Sequence, residues 1–412
     1  MKKVIMLSVS IIALLLIAAC GNSEEKSQSG DNSNGKQEIL LWHYYTGSED
    51  ALNQILADYN ASQDEYEVVA EYVPFDEMNR QLSVGTAGDS LPDIVISDTV
   101  NNASMASMGI LEDLTDKINE RGMADKFLNG PMSSTIYQEK NYGLPLTTNS
   151  LGLFYNKKLF EEAGIEEPPT TWEELEEAAA NLTTDGVKGF GMSAVRSEEA
   201  TFQFYPFLLS AGATYENLDS PEANKALSFI HGLLEQDYMS QDVLTATQDD
   251  LTRMFSEGSL AMMINGPWMI ERIQENENLD FGITYIPKDK EFKSVTGGDN
   301  IAITKDGNVD AAWSFLQWLF EPEQNERFAK ETGYYPTRSD VLNEADYWKN
   351  EEYVKEFIPI MEVAEARGPS ADWPSVSEAI QLAVQKALTN ESSAEEALAE
   401  AAAEVSEIEA AE

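Results

Sequence analysis

The residues best placed to do chemistry are aromatic and polar side chains gathered at the ends of short apolar runs. Ile39-Leu40-Leu41-Trp42 is followed by His43-Tyr44-Tyr45-Thr46-Gly47, and Ile94-Val95-Ile96 by Ser97-Asp98-Thr99. Neighbours in an extended segment point to opposite sides, so at least one of His43, Tyr44 and Tyr45 faces any cleft beyond that strand; the alternation does not say which. Leu260 to Ile264 runs into Asn265-Gly266-Pro267-Trp268, which brings an indole to another strand end. Thr296-Gly297-Gly298-Asp299-Asn300 reads as a turn, with Gly298 able to let backbone N–H groups approach a hydroxyl and Asp299 beside it. Tyr335 and Arg338 follow Gly333, a helix-ending glycine, and Arg is scarce in this chain. Trp373 lies in the loop 368–374, ahead of a helix from Val376.

These side chains favour binding over catalysis. With 73 Asp and Glu, a pair of carboxylates can always be found, so a glycosidase-like pair has no specificity as a signal. There is no Gly-x-Ser-x-Gly, no His-Glu-x-x-His and no phosphate-cradling glycine loop ending in Lys-Ser or Lys-Thr. His43 and His231 are the two histidines, far apart and without zinc spacing. Cys20 is the single cysteine, which rules out an internal disulfide and a cysteine-built zinc or iron–sulfur site. No catalytic residue, metal or cofactor is expected. The formal charge of −46 argues against nucleic acid, whose phosphates call for clustered Lys and Arg.

The elements that must position these residues follow from length and pattern. At 412 residues with 42% hydrophobic content, the chain is too long for one ordinary core and too apolar to be disordered. Lys2 and Lys3 precede an uncharged run from Val4 to Ala19, the pattern of a secretory signal. Ser23 to Gln37 holds no large apolar residue and reads as a flexible tether. Beyond it, strands at 39–42, 66–73 and 94–96 alternate with helices at 50–60 and 76–84, which argues for an α/β sheet with a large parallel component. In such sheets ligands bind beyond the carboxyl ends of the strands. The pattern breaks at 142–150, then resumes with a strand at 151–155 and a helix from Asn156 to Ala163 closed by Gly164. Thr171-Trp172-Glu173-Glu174 is a capping box, and Ser220-Pro221 starts another helix. Glu391 to Glu412 reads as an acidic helix with a thin apolar stripe.

Leu16-Ile17-Ala18-Ala19-Cys20-Gly21 resembles the lipobox of bacterial lipoproteins. A second resemblance runs through Leu91-Pro92-Asp93-Ile94-Val95, Tyr142-Gly143-Leu144-Pro145, Leu153-Phe154-Tyr155-Asn156-Lys157 and Pro169-Thr170-Thr171-Trp172-Glu173-Glu174. It continues through Leu260 to Trp268, Gly297-Gly298 and Thr332-Gly333-Tyr334-Tyr335-Pro336-Thr337-Arg338. In that order these resemble the landmarks of the extracellular solute-binding proteins of carbohydrate ABC importers, the maltose-binding-protein-like family 1, over roughly residues 38 to 390.

The resemblance implies a two-lobed, α/β, periplasmic-binding-protein type II fold in which the chain crosses a hinge three times, near Thr147, near Val295 and around Asp346. Lobe 1 would comprise 38–147 plus about 296–345, and lobe 2 would comprise 148–295 plus about 346–412. Residues 1–19 would be the signal peptide and 20–37 the lipid anchor and tether. The expected protein is a monomeric, non-enzymatic lipoprotein held by lipid on Cys20 at the outer face of the cytoplasmic membrane of a Gram-positive cell. It would deliver a sugar or oligosaccharide to the transmembrane permease subunits. Sugars pack C–H faces on aromatic planes and need donors and acceptors for their hydroxyls. By the resemblance Trp268 stacks on the sugar, Asn149 falls at a polar ligand position, and His43, Tyr44, Tyr45, Asp98, Gly298, Asp299, Tyr335, Arg338 and Trp373 complete the candidate set. A binder of glycerol phosphate or another phosphate ester is the alternative, with Arg338 as its clearest cation; a surface glycosidase and a passive adhesion lipoprotein are more distant ones.

Overall fold

The computed structural model describes residues 35–88, 90–368 and 370–410. The expected signal peptide, the Cys20 anchor and the tether up to residue 34 lie outside the described residues. No helix among the described residues is long and apolar enough to cross a membrane.

The first lobe is built on a five-stranded sheet in the order Tyr66–Tyr72, Gln37–His43, Ile94–Asp98, Asp299–Ile303, Leu144–Pro145. The first three strands are parallel, as the strand–helix alternation requires. The fourth arrives from far along the chain and runs antiparallel to both neighbours. Ile39, Leu41, Ile94, Ile96, Ile301 and Ile303 are fully buried in its core. The helix Glu49–Ser62 covers one face with Leu52, Ile55, Leu56 and Tyr59, at the three- and four-residue spacing of a single stripe. The helix Val309–Leu319 does the same with Phe315, Leu316 and Leu319.

The second lobe packs helices around a three-stranded antiparallel sheet ordered Phe281–Thr284, Gly152–Asn156, Met262–Asn265. The helix Lys157–Ala163 is capped by the Asn156 side chain and ends at Gly164 in the left-handed conformation. The capping box of Thr171 and Glu174 opens the helix Trp172–Leu182, and Ser220 caps Pro221–Glu235. The acidic C-terminal helix, Ala394–Glu409, buries Ala397, Leu398, Ala401 and Val405 and belongs to the core. Small alanines widen its apolar stripe beyond the large residues alone.

A small four-stranded sheet joins Tyr335–Pro336, Thr147–Ser150, Ser294–Gly297 and Ala364–Ala366. Where the sequence suggested a turn over 296–300, two strands meet at the single residue Gly298. Its φ is +138°, and a Cβ there would lie 2.3 Å from the Thr147 carbonyl oxygen, so only glycine fits.

Candidate functional site

A cavity of about 280 Å³ opens between the lobes, near the lower end of the range typical of small-molecule sites. Its first-lobe wall forms where strands end. Tyr44 and Tyr45 leave the strand Gln37–His43, and both line the cavity. Antiparallel register sets Asp299 directly opposite Asp98, so two carboxylates stand side by side where the strand Ile94–Asp98 ends. From the second lobe, Ser197 caps the helix Glu198–Ala211, whose first turns present Glu198, Glu199 and Phe202. Trp268 follows the strand Met262–Asn265, and Tyr334 follows Gly333; both also line the cavity.

The rings form a chain across the site. Phe202 stacks near Trp268 with centroids 6.3 Å apart, and Trp268 near Tyr334 at 6.0 Å. Tyr334 lies 5.8 Å from Tyr45, Tyr45 5.7 Å from Tyr44, and Tyr44 5.0 Å from Phe75. Trp268 touches three core clusters, spanning both lobes. Gly266 makes room for it: a Cβ there would fall 1.8 Å from the indole ring. At φ −114° the backbone of Gly266 suits any residue, so the ring rather than the backbone demands glycine.

Polar groups hold this wall in place. The Asp299 carboxylate accepts hydrogen bonds from the hydroxyls of Tyr44, Tyr45 (2.9 Å) and Thr147 (2.7 Å). Burial raises its pKa to about 6, with Asp98 adding to the rise and the three hydroxyls opposing it. Arg367 is fully buried and reaches both lobes. Its Nη2 lies 2.8 Å from each oxygen of Asp98, its Nε lies 3.2 Å from Glu198 Oε1, and its guanidinium sits 4.0 Å over the Phe202 ring. Burial raises Glu198 to about 7 despite the pull of Arg367. Glu199 is also raised to about 7, chiefly by burial, although its carboxylate accepts from the Gln248 backbone N–H at 2.9 Å. Asn149 lines the cavity 6% exposed, with no hydrogen-bond partner for its Oδ1 among the described residues.

The cavity therefore brings together Tyr44, Tyr45, Asp98, Asn149, Trp268, Gly298 and Asp299 of the sequence candidates. Four others do not line it. His43 turns inward, buried, with its Nδ1 accepting from the Tyr45 N–H at 3.2 Å; burial lowers its pKa, opposed by Glu49. Tyr335 is a core residue whose hydroxyl donates to the Val354 carbonyl, and side-chain alternation gives the cavity Tyr334 instead. Arg338 is buried elsewhere, donating to the Phe320 carbonyl at 2.7 Å and pairing with Asp340. Trp373 is fully buried at the start of a helix and donates to Glu198 at 3.2 Å, so it supports a lining residue without lining the cavity itself.

The sequence reading missed Phe202, Tyr334, Glu198, Glu199 and Arg367. Ser197-Glu198-Glu199 is a visible helix start, and a cap facing a cleft presents its first turn to that cleft. The scarcity that singled out Arg338 applied equally to Arg367.

Comparison with known proteins agrees with this architecture. The family model described as bacterial extracellular solute-binding protein matches residues 54–355. A solved solute-binding protein of an ABC transporter from Thermotoga lettingae, bound with alpha-D-tagatose, superposes with a TM-score of 0.83 at 27% identity, covering 90% of this chain and 100% of that one. A maltotriose-binding protein of Pyrococcus abyssi is 27% identical over 76% of this chain and 69% of its own length. The sn-glycerol-3-phosphate-binding periplasmic protein of Escherichia coli is 25% identical over 74% of this chain and 75% of its own. With the matched segment spanning strands of both lobes and of the small sheet between them, the chain belongs to the bacterial extracellular solute-binding protein family.

Proposed function

We propose that the protein captures a sugar or oligosaccharide in the cavity between its lobes and delivers it to the transmembrane subunits of an ABC importer. The observation that carries this reading is the row of rings, Phe202–Trp268–Tyr334–Tyr45–Tyr44, set beside Asp299, Asn149 and Asp98. Aromatic planes meet the C–H faces of a sugar, and the carboxylates and amide meet its hydroxyls. The tagatose and maltotriose relatives support the same ligand class.

The three segments 147–150, 294–297 and 335–336 are the proposed flexing connections between lobes; their pairing in one small sheet supports this. The third passage then falls at Tyr335 rather than around Asp346, so the second part of lobe 1 ends about ten residues earlier. The lipobox and tether support a lipoprotein anchored through Cys20 at the outer face of the cytoplasmic membrane of a Gram-positive cell, and the family resemblance supports a monomer.

The phosphate-ester reading has the glycerol-phosphate relative in its favour. The cavity argues against it, because Arg196 is the one cation among its lining residues, against six carboxylates. A thermal-shift and calorimetric panel of mono- and oligosaccharides with sn-glycerol 3-phosphate tests the choice. Native-state binding raises the melting temperature by mass action. A sugar should do so, and Trp268→Ala should weaken its binding at least about tenfold through loss of the stacking surface. Stabilisation by the phosphate ester alone, or a flat response across the panel, overturns the proposal.

A further inference from the structure

We propose that the cleft prefers a saccharide carrying a protonated amine over a neutral saccharide of the same size; this rests on the sugar-binding reading and narrows it. Asp76, Asp98, Glu198, Glu199, Asp249 and Asp299 all line the one cavity. Arg367 accounts for Asp98 and Glu198, and Arg272 pairs with Asp249 at 2.7 Å. Arg196 is engaged by Glu378 at 3.0 Å, a residue outside the cavity lining. The other carboxylates have no cation bonded to them among the described residues. Asp299 is held by hydroxyls, Glu199 by a backbone N–H, and Asp76 is exposed. Even with the three guanidinium groups counted, the cavity keeps a negative excess. Apolar ring walls focus that field into the space a ligand occupies.

Asn149 is an independent sign that a ligand group is wanted at this wall, one that an ammonium or a hydroxyl can satisfy. It is more than nine-tenths buried at the cavity wall, and its carbonyl oxygen lacks a donor among the described residues. A buried acceptor without a partner calls for a donor on the ligand. An ammonium group brings three donors and no acceptor, and its charge is attracted to the faces of Trp268, Tyr334 and Phe202. It would also draw the raised Asp299 and Glu199 back toward ionisation, so binding near neutral pH should release protons from them.

The test is titration calorimetry on the full chain with glucosamine, glucose and N-acetylglucosamine, and with the glucosamine disaccharide of chitosan against cellobiose. The N-acetyl sugar keeps the bulk and loses the charge. The amine-bearing ligand should bind about tenfold more tightly than its neutral counterparts, and added salt should shrink that ratio. Glu199→Gln and, independently, the exposed Asp76→Asn should each lower the amine-to-neutral ratio, by about threefold. Equal or tighter binding of the neutral sugars, or a ratio unmoved in both variants, overturns this inference and leaves the sugar-binding reading standing. Binding of neither kind, across the wider sugar panel as well, overturns both.

Discussion

Glu199 carries the clearest pH consequence of any single residue. Its ordinary value is 4.5 and burial raises it to about 7. Between those values the folded chain holds a proton that the unfolded chain has already lost. Stability is therefore greater at the acid side of the window and falls as pH rises through it. Glu198, raised to about 7, and Asp299, raised to about 6, act in the same direction. Urea unfolding followed from about pH 5 to about pH 8 should show declining stability, and Glu199→Gln should flatten the decline by on the order of 3 kcal/mol. A profile unchanged by the substitution would contradict the burial argument. At this scale the sequence was partly legible. Strand-end residues such as Tyr44, Tyr45, Asp98 and Trp268 stood at positions where a cleft must form. The face each side chain takes was not legible: Tyr335 and Tyr334 exchange roles through a one-residue alternation that only the pairing of Tyr335 with Thr148 fixes.

Among the elements, the connection from the strand Met262–Asn265 into Trp268 is the most sharply constrained. A methyl group at position 266 would occupy the space of the indole ring. Gly266→Ala should therefore displace Trp268, weaken ligand binding about tenfold or more, and cost about 1–3 kcal/mol of stability. Calorimetry and the tryptophan fluorescence of the free and liganded protein would read both effects; an unaltered titration would show that the ring position is not required. Most elements could be read from spacing, because caps and apolar stripes are local signals. Asn156, Thr171 and Ser220 open their helices as their side-chain chemistry requires. The strand pair around Gly298 was not readable, because a double glycine looks the same whether it makes a free turn or lets two backbones pass closely.

For the whole molecule, the charge of −46 is spread over a body whose ion pairs are largely exposed. Exposed pairs contribute little, so repulsion between unpaired carboxylates dominates at low ionic strength. Raising salt from about 0.05 M to about 1 M should raise the melting temperature, because the screening length shortens to a few ångström. A fall would contradict this account. The two lobes and their α/β character were legible from length, alternation and ordered landmarks. The site was less so, because Arg367 meets Asp98 from 269 positions away. The five-stranded sheet has a further consequence of the same kind. Its strand Asp299–Ile303 sits between two strands that are synthesised much earlier. Until residue 303 has emerged, the edge of Ile94–Asp98 has no partner and the first lobe lacks part of its core. The amino-terminal third of the chain thus cannot complete this sheet ahead of the rest, and the non-local pairing is expected to slow folding and tie it to the later part of the chain.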